Sequence, residues 1–162
     1  MNGQKELYEL FNLLNISFEY YEHPPAPTIE EARKYWKDID AFHCKNLFFR
    51  NHKGDSHYLV ILNYLSLLDI HNLEKKLKQG KLSFASELRL KKYLGLNAGS
   101  ISPFGLINDK EKHVHVFIDK KIQNTKRISF HPNVNTASLV LTYDSLIKFL
   151  NFQKNKYEFM EL

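Results

Sequence analysis

The sequence predicts an α+β fold: a single domain with one mixed, mainly antiparallel sheet flanked by helices. Three observations carry that prediction. Amphipathic stretches of helical period alternate with short runs rich in β-formers. Some of those β-rich runs follow one another with only a turn between them, so hairpins are present and a doubly wound parallel sheet is disfavoured. No repeat, low-complexity tract or linker divides the chain, and residues 1–162 read as one unit. With 43% hydrophobic residues, 25% charged, 12 Phe and 9 Tyr, a chain of this length can build a real core.

The elements follow in order. Residues 4–14 place Leu7, Leu10, Phe11 and Leu14 at helical spacing, and Asn15 ends that helix. Ser17–Tyr21 is a short strand, stopped by His23-Pro24-Pro25-Ala26-Pro27, where proline removes backbone donors. Thr28-Ile29-Glu30-Glu31 is a capping box that starts a helix running to about Trp36. Tyr35 and Trp36 read first as packing residues, although a helix mounted on a rigid proline segment could also wall a pocket. Lys45–Asn51 and Tyr58–Leu62 form a hairpin around His52–Asp55, and the second run, Tyr-Leu-Val-Ile-Leu, is apolar on both faces. Asp69 caps a helix from Ile70 to Gln79 that Gly80 closes, and Ser86 caps one from Glu87 to Leu94 that Gly95 closes. Asn97–Asp109, with two of the six glycines, two serines and a proline, reads as a loop. Strands follow at Val114–Asp119, Arg127–Phe130 and Ser138–Thr142, then a last helix through Leu150.

Composition narrows the function class. No apolar run reaches membrane-spanning length and no signal-peptide core follows Met1, so a cytoplasmic protein is expected, with no membrane partner. The single cysteine, Cys44, excludes an internal disulfide and a cysteine-based zinc site. A net charge of +5 and a pI near 9.1 permit a polyanionic partner. Lysines gather at Lys75-Lys76-Lys78-Lys81, at Arg89-Lys91-Lys92 and between Lys120 and Arg127. Any one run is first a solvated helix face; several on one small domain favour RNA over an acidic small molecule.

Candidate chemistry reduces to three clusters. His113-x-His115 puts two imidazoles on one strand face, but nothing supplies a third metal ligand. Cys44 points away from any site that Lys45 faces and reads as a small buried hydrophobe. The glycine loop has neither the Gly-x-Ser-x-Gly elbow nor the Gly-Lys-Ser/Thr ending of a phosphate loop. What remains is Lys45-Asn46, the loop around Gly99-Ser100-Ile101-Ser102-Pro103, and Phe130-His131-Pro132-Asn133. A lysine facing a pocket requires an anion or a carbonyl, and a histidine fixed at a strand end can donate or accept near neutral pH.

Lys45–Asn51, Gly99–Asp109 and Phe130–Thr136, in this order and spacing, resemble the YbaK/prolyl-tRNA synthetase-associated editing superfamily. Within it they are most similar to the freestanding deacylases that hydrolyse alanine mischarged onto tRNA(Pro). The resemblance implies a mixed α/β domain that cleaves the ester between a wrong amino acid and the 3′-terminal ribose of tRNA. By motif match, Lys45, Asn46 and Gly99 carry over as the catalytic set. Ser100, Ile101, Ser102, Pro103, Phe130 and His131 carry over as the substrate-binding wall. Thr28 and Arg33 lie in the region that approaches the tRNA end. No metal or organic cofactor is implied. The implied partners are mischarged tRNA(Pro) and, as a candidate, prolyl-tRNA synthetase, with no role for DNA.

Trp36–His43 carries no recognisable motif. The same scaffold tuned to Cys-tRNA(Pro) or another small amino acid is the nearest alternative, and a catalytically silent tRNA- or synthetase-binding module is the alternative from another class. The lysine runs predict tRNA binding that weakens as salt displaces them from phosphates. Filter binding should show a steep loss of affinity between about 50 and 200 mM salt; a flat response would remove these lysines from the contact face.

Overall fold

The structure is a computed structural model that describes residues 1–162. Its five helices are α1 (Lys5–Leu13), α2 (Ile29–Trp36), α3 (Ile70–Leu77), α4 (Glu87–Leu94) and α5 (Tyr143–Gln153). Its eight strands are β1 (Glu19–Glu22), β2 (Phe42–Arg50), β3 (His57–Asn63), β4 (Ser83–Phe84), β5 (His115–Asp119), β6 (Arg127–Phe130), β7 (Ala137–Thr142) and β8 (Tyr157–Met160). They form one mixed sheet in the order β1-β7-β6-β2-β3-β5-β8, with β4 also on β2. The α+β expectation is met. No helix is long and apolar enough to cross a membrane.

Strand β3 shows why the layers form. Leu59 and Ile61 enter the main core with residues of α1, α4 and α5, while Tyr58, Val60 and Leu62 enter a second cluster with Leu73 of α3. A strand buried on both faces needs apolar side chains at every position, as this run has. A third cluster joins Ala26, Ala32 and Trp36 to Val140 of β7, seating α2 against the sheet. The Thr28 capping box is present, with the Thr28 hydroxyl accepting from Glu31 N–H and the Glu31 carboxylate accepting from Thr28 N–H.

Several boundaries move, each because a distant partner decides it. β2 begins at Phe42 rather than Lys45, because Phe42 and His43 pair in parallel with Ile128 and Ser129 of β6. β1 is shifted to Glu19–Glu22 by its antiparallel register with Val140 to Ala137. α3 stops at Leu77, where Lys78 takes the left-handed conformation (φ 54°) and donates to the Glu74 carbonyl; Gly80 lies in the turn beyond. α5 continues to Gln153. β4, β8 and a 3-10 turn over Lys120–Asn124 add to the expected elements.

His113 and His115 do not act together. His113 lies outside β5, and His115 pairs with Glu158 at 2.9 Å. His113 Nε2 instead meets His57 Nδ1 at 2.8 Å, and Arg89 donates to His57 Nε2 at 2.9 Å. The arginine has no lone pair to offer, so the proton of His57 sits on Nδ1. Burial first, then His113, Arg89, Lys92 and Arg50, pull the His57 pKa down to about 4.

A histidine whose folded pKa is depressed below the unfolded value of about 6.5 favours folding above that pH and loses its contribution as pH falls toward the folded value. Urea midpoints should therefore decline from about pH 6.5 to 4, and the decline should be shallower in His57→Phe. Equal slopes in the two proteins would place the acid sensitivity elsewhere.

Candidate active site

The sheet splits at β2. On the edge opposite β3, β2 pairs with β6 only at Phe42 and His43, and with β4 only at Phe49 and Arg50. Between these pairings no strand covers Cys44–Leu47, and a cavity of about 150 Å³ opens there. Its walls are Cys44–Leu47 of β2, Gly99 and Ile101 of the glycine loop, His131 after β6, and Ala26–Ile29, Ala32 and Trp36 from the proline segment and α2. Clefts for drug-sized ligands run ~300–1,000 Å³, so this one takes only a small group.

Four features set its chemistry. Lys45 Nζ donates to the Ser66 carbonyl, and burial pulls its pKa below the usual lysine value. Asn46 donates through Nδ2 to the Ile101 carbonyl at 3.1 Å, tying the glycine loop to β2 across the split. His131 meets the Ala137 carbonyl through Nδ1 at 2.9 Å, so that nitrogen carries the proton and Nε2 is left as an acceptor. Burial, assisted by nearby His23 and opposed by the Ala137 bond, lowers the His131 pKa and keeps the ring neutral at pH 7. The amides of Gly99 and Ile101 meet no internal acceptor, whereas Ser100 N–H is used by the Asn97 carbonyl. The N–H groups of these two wall residues are therefore unpaired.

The cavity contains no carboxylate. Cys44 contributes to the wall, but its thiol packs into the main core and burial pushes its pKa well above the ordinary value. No activated nucleophile is present. The lining can orient a carbonyl and a water, and can stabilise an oxyanion with donors.

The structure brings together Thr28, Lys45, Asn46, Gly99, Ile101 and His131. It sets the other expected residues apart. Ser100 is buried beside the cavity. Ser102 is fully buried because its hydroxyl caps the 3-10 turn Pro103–Asn108, accepting from Phe104 N–H at 3.1 Å. Pro103 starts that turn and is buried with it. Phe130 packs edge-on against Phe104 at 5.6 Å in the main core. Arg33 is exposed and lies over the Tyr64 ring at 5.7 Å, outside the cavity. In their place stand Ala26, Pro27, Ile29, Ala32 and Trp36, for which the only advance signal was a short helix carried by a proline segment, and Leu47, which lies in the Lys45–Asn51 motif. Trp36 is held by stacking on His43 at 4.7 Å.

Residues 23–149 match the family model of the aminoacyl-tRNA editing domain. Over 162 residues the chain is 38% identical to prolyl-tRNA editing protein ProX of Acetoanaerobium sticklandii, covering 100% of this chain and 99% of that one. It is 30% identical over 149 residues to prolyl-tRNA synthetase associated domain-containing protein 1 of Danio rerio, covering 91% of this chain and 80% of that one. A solved structure described as a candidate trans-editing enzyme for prolyl tRNA synthetase superposes with a TM-score of 0.73 at 15% identity, covering 99% and 98% of the two chains. That last likeness is one of fold.

Gly99 holds the glycine loop against the proline segment. Its φ is +84°, and an added Cβ would lie 2.9 Å from the Pro27 carbonyl oxygen. Gly54 has a similar φ of +75°, but its nearest neighbour is the flexible end of Arg89. Both alanine variants should lose about 1–2 kcal/mol to left-handed strain. Gly99→Ala should lose more, because backbone cannot retreat as a guanidinium can. Chemical denaturation of the two variants side by side checks the order.

Proposed function

The chain belongs to the aminoacyl-tRNA editing domain family, and from that premise we propose that it hydrolyses mischarged tRNA(Pro) in trans, with Ala-tRNA(Pro) as its substrate. The observation that carries the reading is a cavity of about 150 Å³ with a lysine ammonium, a neutral histidine and two unpartnered loop amides, and no nucleophile.

An aminoacyl ester is already activated, so positioning and oxyanion stabilisation suffice for its hydrolysis. The aminoacyl end enters between β2 and α2, and its carbonyl oxygen faces the amides of Gly99 and Ile101. Lys45, held by Ser66, orients the ester from the β2 side. Water adds to the carbonyl carbon and loses a proton. The bond to the ribose oxygen breaks, that oxygen takes a proton, and free alanine leaves. His131 Nε2 accepts a hydrogen bond from the amine or from the water.

Selection is steric. On this reading the wall that Ala26, Pro27, Ile29 and Ala32 contribute admits a methyl group and stops the proline ring. Affinity alone separates substrates that differ by one methylene by only about 10–200-fold, so exclusion by size protects correctly charged tRNA(Pro) better than fine discrimination would. We place the reaction in the cytoplasm, downstream of the errors of prolyl-tRNA synthetase.

The test is deacylation of tRNA(Pro) charged separately with alanine, cysteine, serine and proline. Alanine should be released fastest and proline retained; preferred release of cysteine would reassign the substrate. Tight binding of tRNA with no turnover of any charged form would overturn the enzymatic reading. Lys45→Ala should lose roughly 10²-fold or more in rate with the fold intact, and full activity in that variant would remove Lys45 from the mechanism.

A further inference from the structure

We propose that the turn Tyr64–Leu68, between β3 and α3, is a docking platform for the unpaired nucleotides that precede the terminal adenosine of the tRNA. The proposal rests on the tRNA-editing reading above and assigns a surface that neither the sequence motifs nor the cavity include.

The turn is built rigidly. Tyr64 N–H donates to the His43 carbonyl at 3.1 Å and Ser66 N–H to the Asn63 carbonyl at 3.0 Å. Leu65 N–H donates to Asn63 Oδ1 at 2.8 Å. On this pinned stretch Leu65 is 66% exposed, and Leu67, just beyond it, is 90% exposed. One exposed leucine is ordinary, but two within three residues beside the cavity leave apolar surface with no partner of its own.

The turn touches the cavity at two points. Its Ser66 carbonyl receives the Lys45 ammonium. Its Tyr64 ring meets Trp36, a cavity wall, edge-on at 5.4 Å. On its outer side Tyr64 carries the exposed Arg33 guanidinium at 5.7 Å.

These contacts select the occupant. A cavity of about 150 Å³ holds the aminoacyl group and no nucleotide, so the ribose and the bases behind it must leave across the rim. On the Lys45 side that rim is this turn. The Tyr64 ring offers a stacking face to a base regardless of sequence, Leu65 and Leu67 offer apolar contact beside it, and the adjacent Arg33 can meet a phosphate.

The experiment uses Leu65→Ser/Leu67→Ser, a double change at exposed positions, in the full chain. Three readouts are taken: binding of uncharged tRNA(Pro), intact or lacking its last three nucleotides; hydrolysis of alanyl-tRNA(Pro) against alanyl-adenosine; and binding of prolyl-tRNA synthetase. The wild type should bind the intact tRNA roughly ten-fold more tightly than the shortened one, and the double variant should lose most of that difference. KM for alanyl-tRNA should rise by a similar factor with kcat little changed, and alanyl-adenosine should react as before. An undiminished preference for intact tRNA in the variant overturns the platform. Equal damage to alanyl-adenosine hydrolysis also overturns it, since the cavity itself would then be affected. Loss of prolyl-tRNA synthetase binding with tRNA discrimination intact assigns the turn to a protein partner and overturns it as well. If the wild type hydrolyses neither substrate but still distinguishes intact from shortened tRNA through these leucines, the platform stands and the deacylase reading falls.

Discussion

The uncovered edge of β2 is the constraint on which the rest of the structure depends. Backbone N–H and C=O groups along Cys44–Leu47 have β3 on one side and no strand on the other, while β6 and β4 hold the two ends of the same strand. Such groups must be covered or given a use. Here the glycine loop and the proline segment close over the gap without filling it. The result is a cavity with polar backbone in its walls and an apolar roof from α2. A continuous sheet would have buried the same residues and left no site.

Keeping that gap open requires rigid supports. Phe104 is fully buried, edge-on to Phe11, Phe149 and Phe130 at 5.1, 5.2 and 5.6 Å, and it pins the glycine loop to the main core. The far end of the loop is fixed by Asp109, whose carboxylate accepts from Val114 N–H at 2.8 Å and from Asn155 at 2.7 Å. On the other wall, His23 stacks on Tyr35 at 4.9 Å and His43 on Trp36 at 4.7 Å, so two aromatic pairs carry α2. These contacts lie outside the chemistry and set its dimensions. A cavity this small changes what it admits with any shift in its walls.

The polar groups in the cavity are held in complementary states. Burial lowers both the Lys45 and the His131 pKa, one on a donor and one on an acceptor. The buried thiol of Cys44 is kept from ionising. A site with free amides, a cation and a neutral imidazole, and with no ionised nucleophile, suits attack by water on an ester that is already reactive.

Much of the architecture was legible in the sequence because local physics determines it. The capping residues Thr28, Asp69 and Ser86, the left-handed stop at Gly95, the two-faced apolar run of β3 and the hairpin to β2 all rest on neighbours within a few positions. The three motif clusters were also visible, and Lys45, Asn46, Gly99, Ile101 and His131 do converge. β8 was missed, since its four residues become a strand only by pairing with β5. Sequence could not say which residues of each cluster face inward. Ser102, Pro103 and Phe130 share their motifs with true wall residues, yet a buried cap, a buried turn and a core ring removed them from the cavity. Nor could it place Trp36 or Ser66 beside Lys45, because those contacts join separate parts of the chain. The sequence by itself determined the elements and the chemical types available. Only the tertiary structure decided where the sheet would part, because that depends on how far β6 and β4 extend along β2, a property of no single segment.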